Sequence, residues 1–223
     1  MKPCVIFDLD GTLADTADDL IAAANAAFAG LGRPARLDAA AALDRTEALR
    51  GGRAMLRLGL GRLGPVDEGE VERGYPLLLA AYDRDVARQT RFYPGALDAV
   101  RRLRGRGYAT GICTNKPEAL AVKLMRALDA LELFDSLVGA DTLAVRKPHP
   151  EHLVESIARA GGDRARSVLV GDTATDRETA RRAGVPCILV TFAPDGRELA
   201  GLAPEALLDG FEGLEAVLEQ IGR

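Results

Sequence analysis

The stretch VIFDLDGTLADT, residues 5–16, decides how the rest of the sequence is interpreted. Its apolar residues predict a strand from Cys4 to Asp8, because parallel strands covered on both faces are short and almost wholly apolar. The strand ends in Asp8, and Asp10 and Gly11 follow it at once. Ligands in open α/β sheets bind beyond the carboxyl ends of the strands. The two acids are therefore candidates for a functional site, although Asp-Gly-Thr taken alone is typical of an ordinary turn.

Further short apolar runs predict the other strands of a parallel sheet. They are Tyr108–Thr114, Leu137–Gly139, Ser167–Gly171 and Cys187–Val190. Helical patterns lie between these runs. One has leucines at positions 120, 124, 128 and 131, another ends at Gly184 as a C-terminal cap, and a last one runs from Phe211 to Ile221. The alternation of strands and helices predicts an α/β fold with a doubly wound, Rossmann-like parallel sheet.

Residues 15–91 have a different pattern, rich in alanine and leucine, with helical periodicity and no convincing strand. We therefore predict an α/β catalytic core formed by residues 1–14 and 92–223, with a small all-helical cap, or lid, inserted at residues 15–91. Residues 59–64 of the insert fit the dinucleotide motif G-x-G-x-x-G. The residues before them are expected to be helical, so the match lacks its strand and is interpreted as chance.

The overall composition excludes several classes of function. The chain has 223 residues, a formal net charge of -4 and a pI near 5.4, which disfavours nucleic acid as a partner. No apolar run is long enough to span a membrane, and the start of the chain lacks the pattern of a signal peptide. We expect a cytoplasmic protein, monomeric or homodimeric, whose partner is a small molecule.

The three cysteines, Cys4, Cys113 and Cys187, give no even disulfide framework, and each lies in an apolar run. They are interpreted as reduced thiols within strands, consistent with a reducing compartment. A catalytic cysteine would need a histidine partner. The sequence has two histidines, His149 and His152, and a pairing with either would be coincidental.

Polar residues gather at the predicted strand ends and in the loops that follow them. The segments are Asp8–Thr12, Thr114–Lys116, Arg146–Pro148 and Gly171–Asp176. Carboxylates packed in one crevice resist ionising unless a cation joins them. Oxygen ligands without histidine or cysteine suit Mg²⁺, and Thr114 and Lys147 are available for phosphate oxygens. The set predicts Mg²⁺-assisted phosphoryl transfer to a carboxylate nucleophile from a small phosphate ester.

The segments DLDGT (8–12), CTNK (113–116), RKPHPE (146–151) and GDTATD (171–176), in this order, resemble the phosphatase branch of the haloacid dehalogenase superfamily. The resemblance covers nearly the whole chain. It implies that Asp8 is the nucleophile, which forms an aspartyl-phosphate. It implies that Asp10 is the general acid that protonates the leaving oxygen and then, as a base, activates water.

The same resemblance assigns the metal and phosphate ligands. Asp172 would hold Mg²⁺ together with Asp8 and the backbone carbonyl of Asp10, and Asp176 would be the second acid of that loop, without touching the ion directly. The hydroxyl of Thr114 would bind the phosphoryl group. Lys147 would hold both nucleophile and phosphate, and Asn115 is predicted to line the substrate site beside them.

Other branches of the superfamily fit less well. Dehalogenases need no acid at the position of Asp10. Phosphonatases use a lysine of the insert, and residues 15–91 contain none. Transport ATPases would need a membrane span. A sugar-phosphate mutase stays open, although such relatives more often have valine where this chain has Thr12.

Within the phosphatases, the closest likeness is to the bacterial phosphoglycolate phosphatases. It rests on Thr114–Glu118, on Gly139–Thr142 and on Ala180–Pro186. Arginine recognises carboxylates in a bidentate manner, so Arg53, with Arg50, is a candidate for binding the carboxylate of 2-phosphoglycolate. The alternatives are a phosphatase of another small metabolite, a mutase, and a non-catalytic phosphate-binding regulatory protein.

Overall fold

The computed structural model describes residues 1–194, 196 and 198–223. Contacts among these residues divide the chain into two units. The first comprises residues 1–14 and 92–223, and the second comprises residues 15–91. The chain passes between the units through two short strands, each two residues long.

In the described residues, the strands are β1 (Lys2–Phe7), β2 (Ala14–Asp15), β3 (Arg91–Phe92), β4 (Ala109–Cys113), β5 (Ser136–Val138), β6 (Gly162–Gly171), β7 (Cys187–Val190) and β8 (Ala206–Leu208). The helices are α1 (Ala17–Gly30), α2 (Ala42–Leu49), α3 (Gly52–Gly61), α4 (Glu68–Arg84), α5 (Ala96–Gly105), α6 (Glu118–Ala127), α7 (Pro150–Arg159), α8 (Ala174–Ala183) and α9 (Leu214–Gln220). Short 3₁₀ turns occupy Leu131–Leu133, Glu198–Leu202 and Phe211–Gly213.

The first unit contains a parallel sheet with the strand order β5-β4-β1-β6-β7-β8. The predicted doubly wound α/β fold is therefore confirmed. The chain builds the sheet outward from β1 in both directions, so the carboxyl end of β1 lies at the point where the strand order reverses. Such switch points are where ligands bind in open parallel sheets.

The central strand β1 is buried on both faces, which explains its apolar sequence. Successive side chains of a strand point to opposite faces. Ile6 packs in the cluster that contains Leu153 of α7 and Ala180 of α8. Phe7 points to the other face, where its ring lies near Phe134 and Phe211 with centroid distances of 6.4 and 6.5 Å. Both faces of β1 thus contribute to the core.

The second unit consists of α1 to α4, together with the ends of β2 and β3. Most apolar side chains of α1 are buried, and Ala27 and Phe28 are fully inaccessible. Gly59 lies in α3 against the ring of Phe28, because an added Cβ would come within 2.2 Å of Phe28 Cζ. The glycine of the apparent dinucleotide motif is therefore explained by packing between helices.

Several predicted element boundaries are wrong. The helix expected to reach Leu131 ends at Ala127, and Leu131 lies in a separate 3₁₀ turn. Strand β6 begins at Gly162, five residues earlier than predicted. The last helix begins at Leu214, after a 3₁₀ turn. Strand β8 was not predicted, because it is short, lies at the sheet edge and exposes its middle residue. The predicted cap at Gly184 is confirmed by its left-handed φ of 64°.

The structure also bears on the membrane prediction. Among the described residues, we find no helix with the length and apolar character that a membrane crossing requires.

Candidate active site

The predicted site residues follow neighbouring strands of the sheet. Asp8 comes directly after β1, and its backbone N–H still donates to Val170 of β6 over 2.9 Å. Thr114 comes directly after β4 and donates in the same way to Val138 of β5 over 3.0 Å. Asp172 comes directly after β6. Because these strands are parallel, their carboxyl ends bring the three side chains to one edge of the sheet.

Lys147 lies at the centre of this arrangement. Its Nζ is 3.0 Å from Oδ1 of Asp8 and 2.6 Å from Oδ1 of Asp176. The side chain is 2% exposed. Burial alone would disfavour the ammonium, but the charges of Asp176 and Asp8 outweigh it and raise the pKa of Lys147 above its ordinary value. Lys147 is therefore a permanent buried cation between two carboxylates.

Asp8 is held in an environment that resists its negative charge. Burial, followed by the charges of Asp176 and Asp10, raises the pKa of Asp8 to about 6, although Lys147 acts in the opposite direction. The backbone N–H of Leu9 also donates to Oδ1 of Asp8 over 2.7 Å and favours the ionised form. The Asp8 carboxylate is thus fixed in position but incompletely neutralised.

Three acids form a candidate metal site. One carboxylate oxygen each from Asp8, Asp172 and Asp176 lies within 4.8 Å of the others. Burial, with the charges of Asp8 and Asp176, raises the pKa of Asp172 well above its ordinary value. This repulsion is what a bound cation would relieve, and buried oxygen-only donors are the set that Mg²⁺ prefers.

The charges of the site support the same conclusion. Asp8, Asp172 and Asp176 carry three negative charges when ionised, and Lys147 offsets one of them. The remaining charge of minus two equals the charge that one divalent cation cancels. The residues present therefore fit a divalent metal ion.

Asp176 has a structural role as well. Its Oδ2 accepts hydrogen bonds from the N–H and the hydroxyl of Thr173, over 3.1 and 2.5 Å, and completes a capping box at the start of α8. Its Oδ1 accepts from Lys147. An added Cβ on Gly171 would lie 2.4 Å from Asp176 Cβ, so the preceding glycine permits this close packing. That Asp176 acts without touching the metal ion directly stays a prediction.

The two acids of the opening stretch are separated by a tight turn. Gly11 has a φ of 83°, a left-handed conformation that glycine adopts without steric cost. Its N–H donates to Ala14 over 2.9 Å, and the N–H of Ala14 donates to Leu9 over 3.0 Å. The turn carries Asp10 to Lys116, whose Nζ lies 2.8 Å from Asp10 Oδ1.

Lys116 is a site residue that the sequence analysis did not assign. Its signal was present, because the chain has 29 cationic residues but uses lysine at only four positions. Two of those four, Lys116 and Lys147, are buried against aspartates at this edge of the sheet.

The segment after β4 is fixed by its own hydrogen bonds. Oγ1 of Thr114 accepts from the N–H of Lys116 over 3.2 Å, and the Thr114 side chain is buried. Nδ2 of Asn115 donates to the backbone carbonyl of Lys147 over 3.1 Å. Asn115 therefore holds the segment that carries Lys147, and its predicted contact with substrate stays a prediction.

Comparison with known proteins identifies the family. A family model described as haloacid dehalogenase-like hydrolase matches residues 2–184. This chain belongs to that family. The resemblance inferred from the four motifs is confirmed, and so is the prediction of a hydrolase.

Related proteins match this haloacid dehalogenase-like hydrolase over nearly its whole length. A protein named phosphoglycolate phosphatase from Mesorhizobium japonicum is 38% identical, over 98% of this chain and 96% of its own. A protein of the same name from Agrobacterium fabrum is 35% identical, over 98% and 93%. The crystal structure of a predicted phosphoglycolate phosphatase from Haemophilus somnus superposes with a TM-score of 0.83. At 22% identity, over 97% of each chain, that structure supports the fold alone.

Arg53 and Arg50 of this hydrolase already have partners within the second unit. The Arg53 guanidinium forms a two-point contact with Glu72, at 2.6 and 2.9 Å, and lies 3.7 Å from the ring centroid of Tyr75. Arg50 pairs with Glu47 over 2.6 Å. The contact of Arg53 with a substrate carboxylate stays a prediction.

One cysteine does contact a histidine, a pairing that the sequence left to coincidence. Sγ of Cys113 lies 3.3 Å from Nδ1 of His152. The Gly139 carbonyl, 2.8 Å from Nε2, can only accept, so Nε2 carries the proton and Nδ1 accepts from the thiol. Burial lowers the pKa of His152 and raises the pKa of Cys113 to about 12. The pair is a neutral hydrogen bond, and Cys113 is not an activated nucleophile.

Proposed function

We propose that this chain is a Mg²⁺-dependent phosphomonoester hydrolase that acts through an aspartyl-phosphate on Asp8, with 2-phosphoglycolate as its substrate. The observation that carries the proposal is the position of Lys147, within 3.0 Å of Asp8 and 2.6 Å of Asp176, beside the third buried acid Asp172. A buried nucleophile, a fixed cation and a candidate metal site lie together where a parallel sheet binds ligands.

The arrangement supports attack of a carboxylate on a phosphate ester. An oxygen of Asp8 would form a bond to phosphorus while the bond from phosphorus to the ester oxygen breaks. Both partners are anionic, so their approach requires positive charge. Lys147 supplies one charge, and Mg²⁺ held by Asp8, Asp172 and the Asp10 carbonyl would supply the screening that the remaining carboxylates require.

Proton transfer is assigned to Asp10. Its proton would pass to the leaving ester oxygen, which departs as an alcohol. Asp10 would then take a proton from the water that attacks the phosphorus of the aspartyl-phosphate. This second step releases inorganic phosphate and restores Asp8. One carboxyl group acts in turn as acid and base, a role for which distance to the reacting oxygen matters first.

The choice of 2-phosphoglycolate is supported by the names of the relatives at 38% and 35% identity. A phosphatase of another small ester, a sugar-phosphate mutase and a non-catalytic phosphate binder are the alternatives. The lid function of residues 15–91 is part of the proposal.

The experiment is an assay of 2-phosphoglycolate, several sugar phosphates and p-nitrophenyl phosphate, with Mg²⁺ or with EDTA. We expect Mg²⁺-dependent release of inorganic phosphate, with the highest kcat/KM for 2-phosphoglycolate. Asp8→Asn should reduce turnover on the order of a thousandfold or more. The exposed Asp98→Asn, on α5, is the matched control. An isomerised sugar phosphate would indicate a mutase instead.

Covalent labelling tests the intermediate directly. Acid quench during turnover, followed by intact-protein mass spectrometry, should show one added phosphoryl group on the wild-type chain and none on Asp8→Asn. Wild-type rates from Asp8→Asn would overturn the mechanism. Absence of turnover with every ester would favour the non-catalytic alternative.

A further inference from the structure

Lys116 and Asp10 form a partly buried ion pair to which the proposed mechanism gives no role. Nζ of Lys116 lies 2.8 Å from Oδ1 of Asp10, and the two side chains are 4% and 14% exposed. They belong to loops that follow β4 and β1, two neighbouring strands. A contact between separate loops, shielded from water, restricts both side chains more than an exposed pair would.

The segment that carries Lys116 is itself rigid. The backbone N–H of Lys116 donates to Oγ1 of Thr114, and the backbone carbonyl of Lys116 accepts from the N–H of Ala140 over 2.9 Å. Pro117 follows as the N-cap of α6. Next, Glu118 packs so closely on Gly139 that an added Cβ there would lie 2.4 Å from the Glu118 backbone. The ammonium of Lys116 is therefore held on a fixed backbone.

The turn that carries Asp10 is closed by backbone hydrogen bonds, from the N–H of Gly11 to the Ala14 carbonyl and from the N–H of Ala14 to the Leu9 carbonyl. Asp10 lies beyond the end of β1 and before the left-handed Gly11, in a segment without long strand pairing. An acid that protonates a leaving oxygen must be held close to the productive position, to within about 0.5 Å. These backbone hydrogen bonds fix the main chain of the turn, and Lys116, which lies on a rigid neighbouring segment, contacts the Asp10 side chain.

The choice of residue supports the same reading. This chain uses arginine at 25 of its 29 cationic positions, yet among the residues that the structure describes, the two cations buried against the site aspartates are lysines. Lysine presents a compact charge with rotatable donors, whereas arginine presents a planar fork that engages both oxygens of a carboxylate. The compact ammonium suits the contact with Oδ1 of Asp10 over 2.8 Å.

We propose that Lys116 is a positioning residue for Asp10, which it holds in the orientation needed for proton transfer to the leaving group. The inference rests on the proposed hydrolase function and adds a residue to it. Lys116 contributes little to binding of the transferred phosphoryl group, which is assigned to Lys147, Thr114 and the metal ion. Removal of the Lys116 ammonium should therefore slow the hydrolysis of each substrate in proportion to how much its leaving group needs an acid.

The test compares two leaving groups in Lys116→Met, whose side chain has similar length and no charge. The leaving group of an alkyl phosphate, such as 2-phosphoglycolate, departs as an alkoxide unless its oxygen is protonated. The leaving group of p-nitrophenyl phosphate departs as a stable phenolate and needs no acid. We expect kcat/KM to fall about 100-fold or more for the alkyl ester and less than about tenfold for the aryl ester. The exposed Lys123→Met, on α6, should change neither.

A second measurement separates positioning from a structural role. In an Asp10→Asn background, Lys116→Met should cause no further loss for the alkyl ester, because the acid that it positions is already absent. Thermal unfolding of both variants reports whether the fold is intact. Equal losses for the two esters would overturn the inference and indicate that Lys116 binds the phosphoryl group. Additive losses with Asp10→Asn would overturn it as well.

Failure of this inference is distinguishable from failure of the proposed function. Wild-type turnover and its loss in Asp8→Asn test the hydrolase. The ratio of the two leaving groups in Lys116→Met tests the positioning role alone.

Discussion

Thr12 donates a hydrogen bond from Oγ1 to Oδ1 of Asp172 over 2.8 Å, although 160 positions separate them in the sequence. Thr12 is fully buried, and the bond joins the loop after β1 to the loop after β6. It favours the ionised form of Asp172, whose pKa is otherwise raised by burial and by the neighbouring acids. The hydroxyl thus stabilises the charge that a metal ion would need.

Thr12→Val should weaken metal binding without preventing catalysis. Valine has the shape of threonine but no hydroxyl, so the Asp172 carboxylate would lose a donor in a buried site. Loss of such a supporting hydrogen bond typically lowers metal affinity about tenfold or more. We expect the Mg²⁺ concentration for half-maximal rate to rise by that factor, with kcat at saturating Mg²⁺ changed only slightly. Thr12→Ser keeps the hydroxyl donor and is the control. An unchanged Mg²⁺ dependence in Thr12→Val would contradict the role of Thr12 in supporting Asp172.

Asp172→Asn should stabilise the protein when no metal is present. Because the pKa of Asp172 is raised in the folded state, the folded protein loses stability as pH rises from the ordinary carboxyl range, near pH 4, toward that raised value. Asparagine has no charge to lose, and its side-chain oxygen can still accept from Thr12. The melting temperature of the variant in EDTA should therefore exceed that of the wild type at pH 7 by a few degrees.

The pH series provides the control for this prediction. The difference between Asp172→Asn and wild type should be small near pH 4 and should grow as pH rises. Asp98→Asn, whose side chain is 70% exposed, should show no such trend. Added Mg²⁺ should raise the melting temperature of the wild type more than that of Asp172→Asn. A variant that melts below wild type in EDTA at pH 7 would contradict the electrostatic account.

The parallel core and the placement of its acids could be predicted because both follow local rules. Buried parallel strands are recognisable as apolar runs, and their carboxyl ends must meet, so Asp8, Thr114 and Asp172 could be grouped before any coordinates. The ion pair between Lys116 and Asp10 could not be predicted. It depends on the side-chain direction of a loop residue and on the turn at Gly11, and a sequence pattern does not specify either.

The missed elements have similar physical causes. Strand β8 exposes part of its side chains at the sheet edge, so it lacks the apolar run that identifies the central strands. The leucine pattern from position 120 continues through a helix end to Leu131, because the 3₁₀ turn there also presents apolar side chains. The contact of Cys113 with His152 joins β4 to α7 and depends on the packing between them.

Arg53→Ala tests whether the second unit recognises the substrate carboxylate. Arg53 contacts Glu72 through two nitrogens, and Arg57 contacts Glu68 in the same geometry, with both distances at 2.8 Å. Both pairs are partly exposed and contribute little to stability, so both variants should fold. If Arg53 binds the carboxylate, Arg53→Ala should lower kcat/KM for 2-phosphoglycolate about tenfold or more relative to p-nitrophenyl phosphate. Arg57→Ala is the matched control and should leave the ratio of kcat/KM for the two esters unchanged. An unchanged ratio in Arg53→Ala would contradict the proposed contact with the substrate carboxylate.

Gly139→Ala should displace the segment that carries Thr114 and Lys116. An added Cβ at Gly139 would lie 2.4 Å from the backbone Cα and N of Glu118, and backbone atoms cannot rotate away as a flexible side chain can. Glu118 begins α6, two residues after Lys116, so the clash would move the loop that positions both site residues. Overpacking of this kind costs about 1–3 kcal/mol, which should lower the melting temperature by several degrees.

The loss of activity in Gly139→Ala should exceed what its stability explains. At a temperature where the variant is fully folded, we expect kcat to fall at least about tenfold, because a displacement on the order of 1 Å is enough to impair catalysis. Gly105→Ala is the control, since Gly105 ends α5 and an added Cβ there meets no atom within 4 Å. It should melt at or slightly above the wild-type temperature and retain full activity. A folded Gly139→Ala protein with wild-type kcat would mean that the segment after β4 tolerates movement, and that the spacing between Gly139 and Glu118 serves the fold without controlling the chemistry.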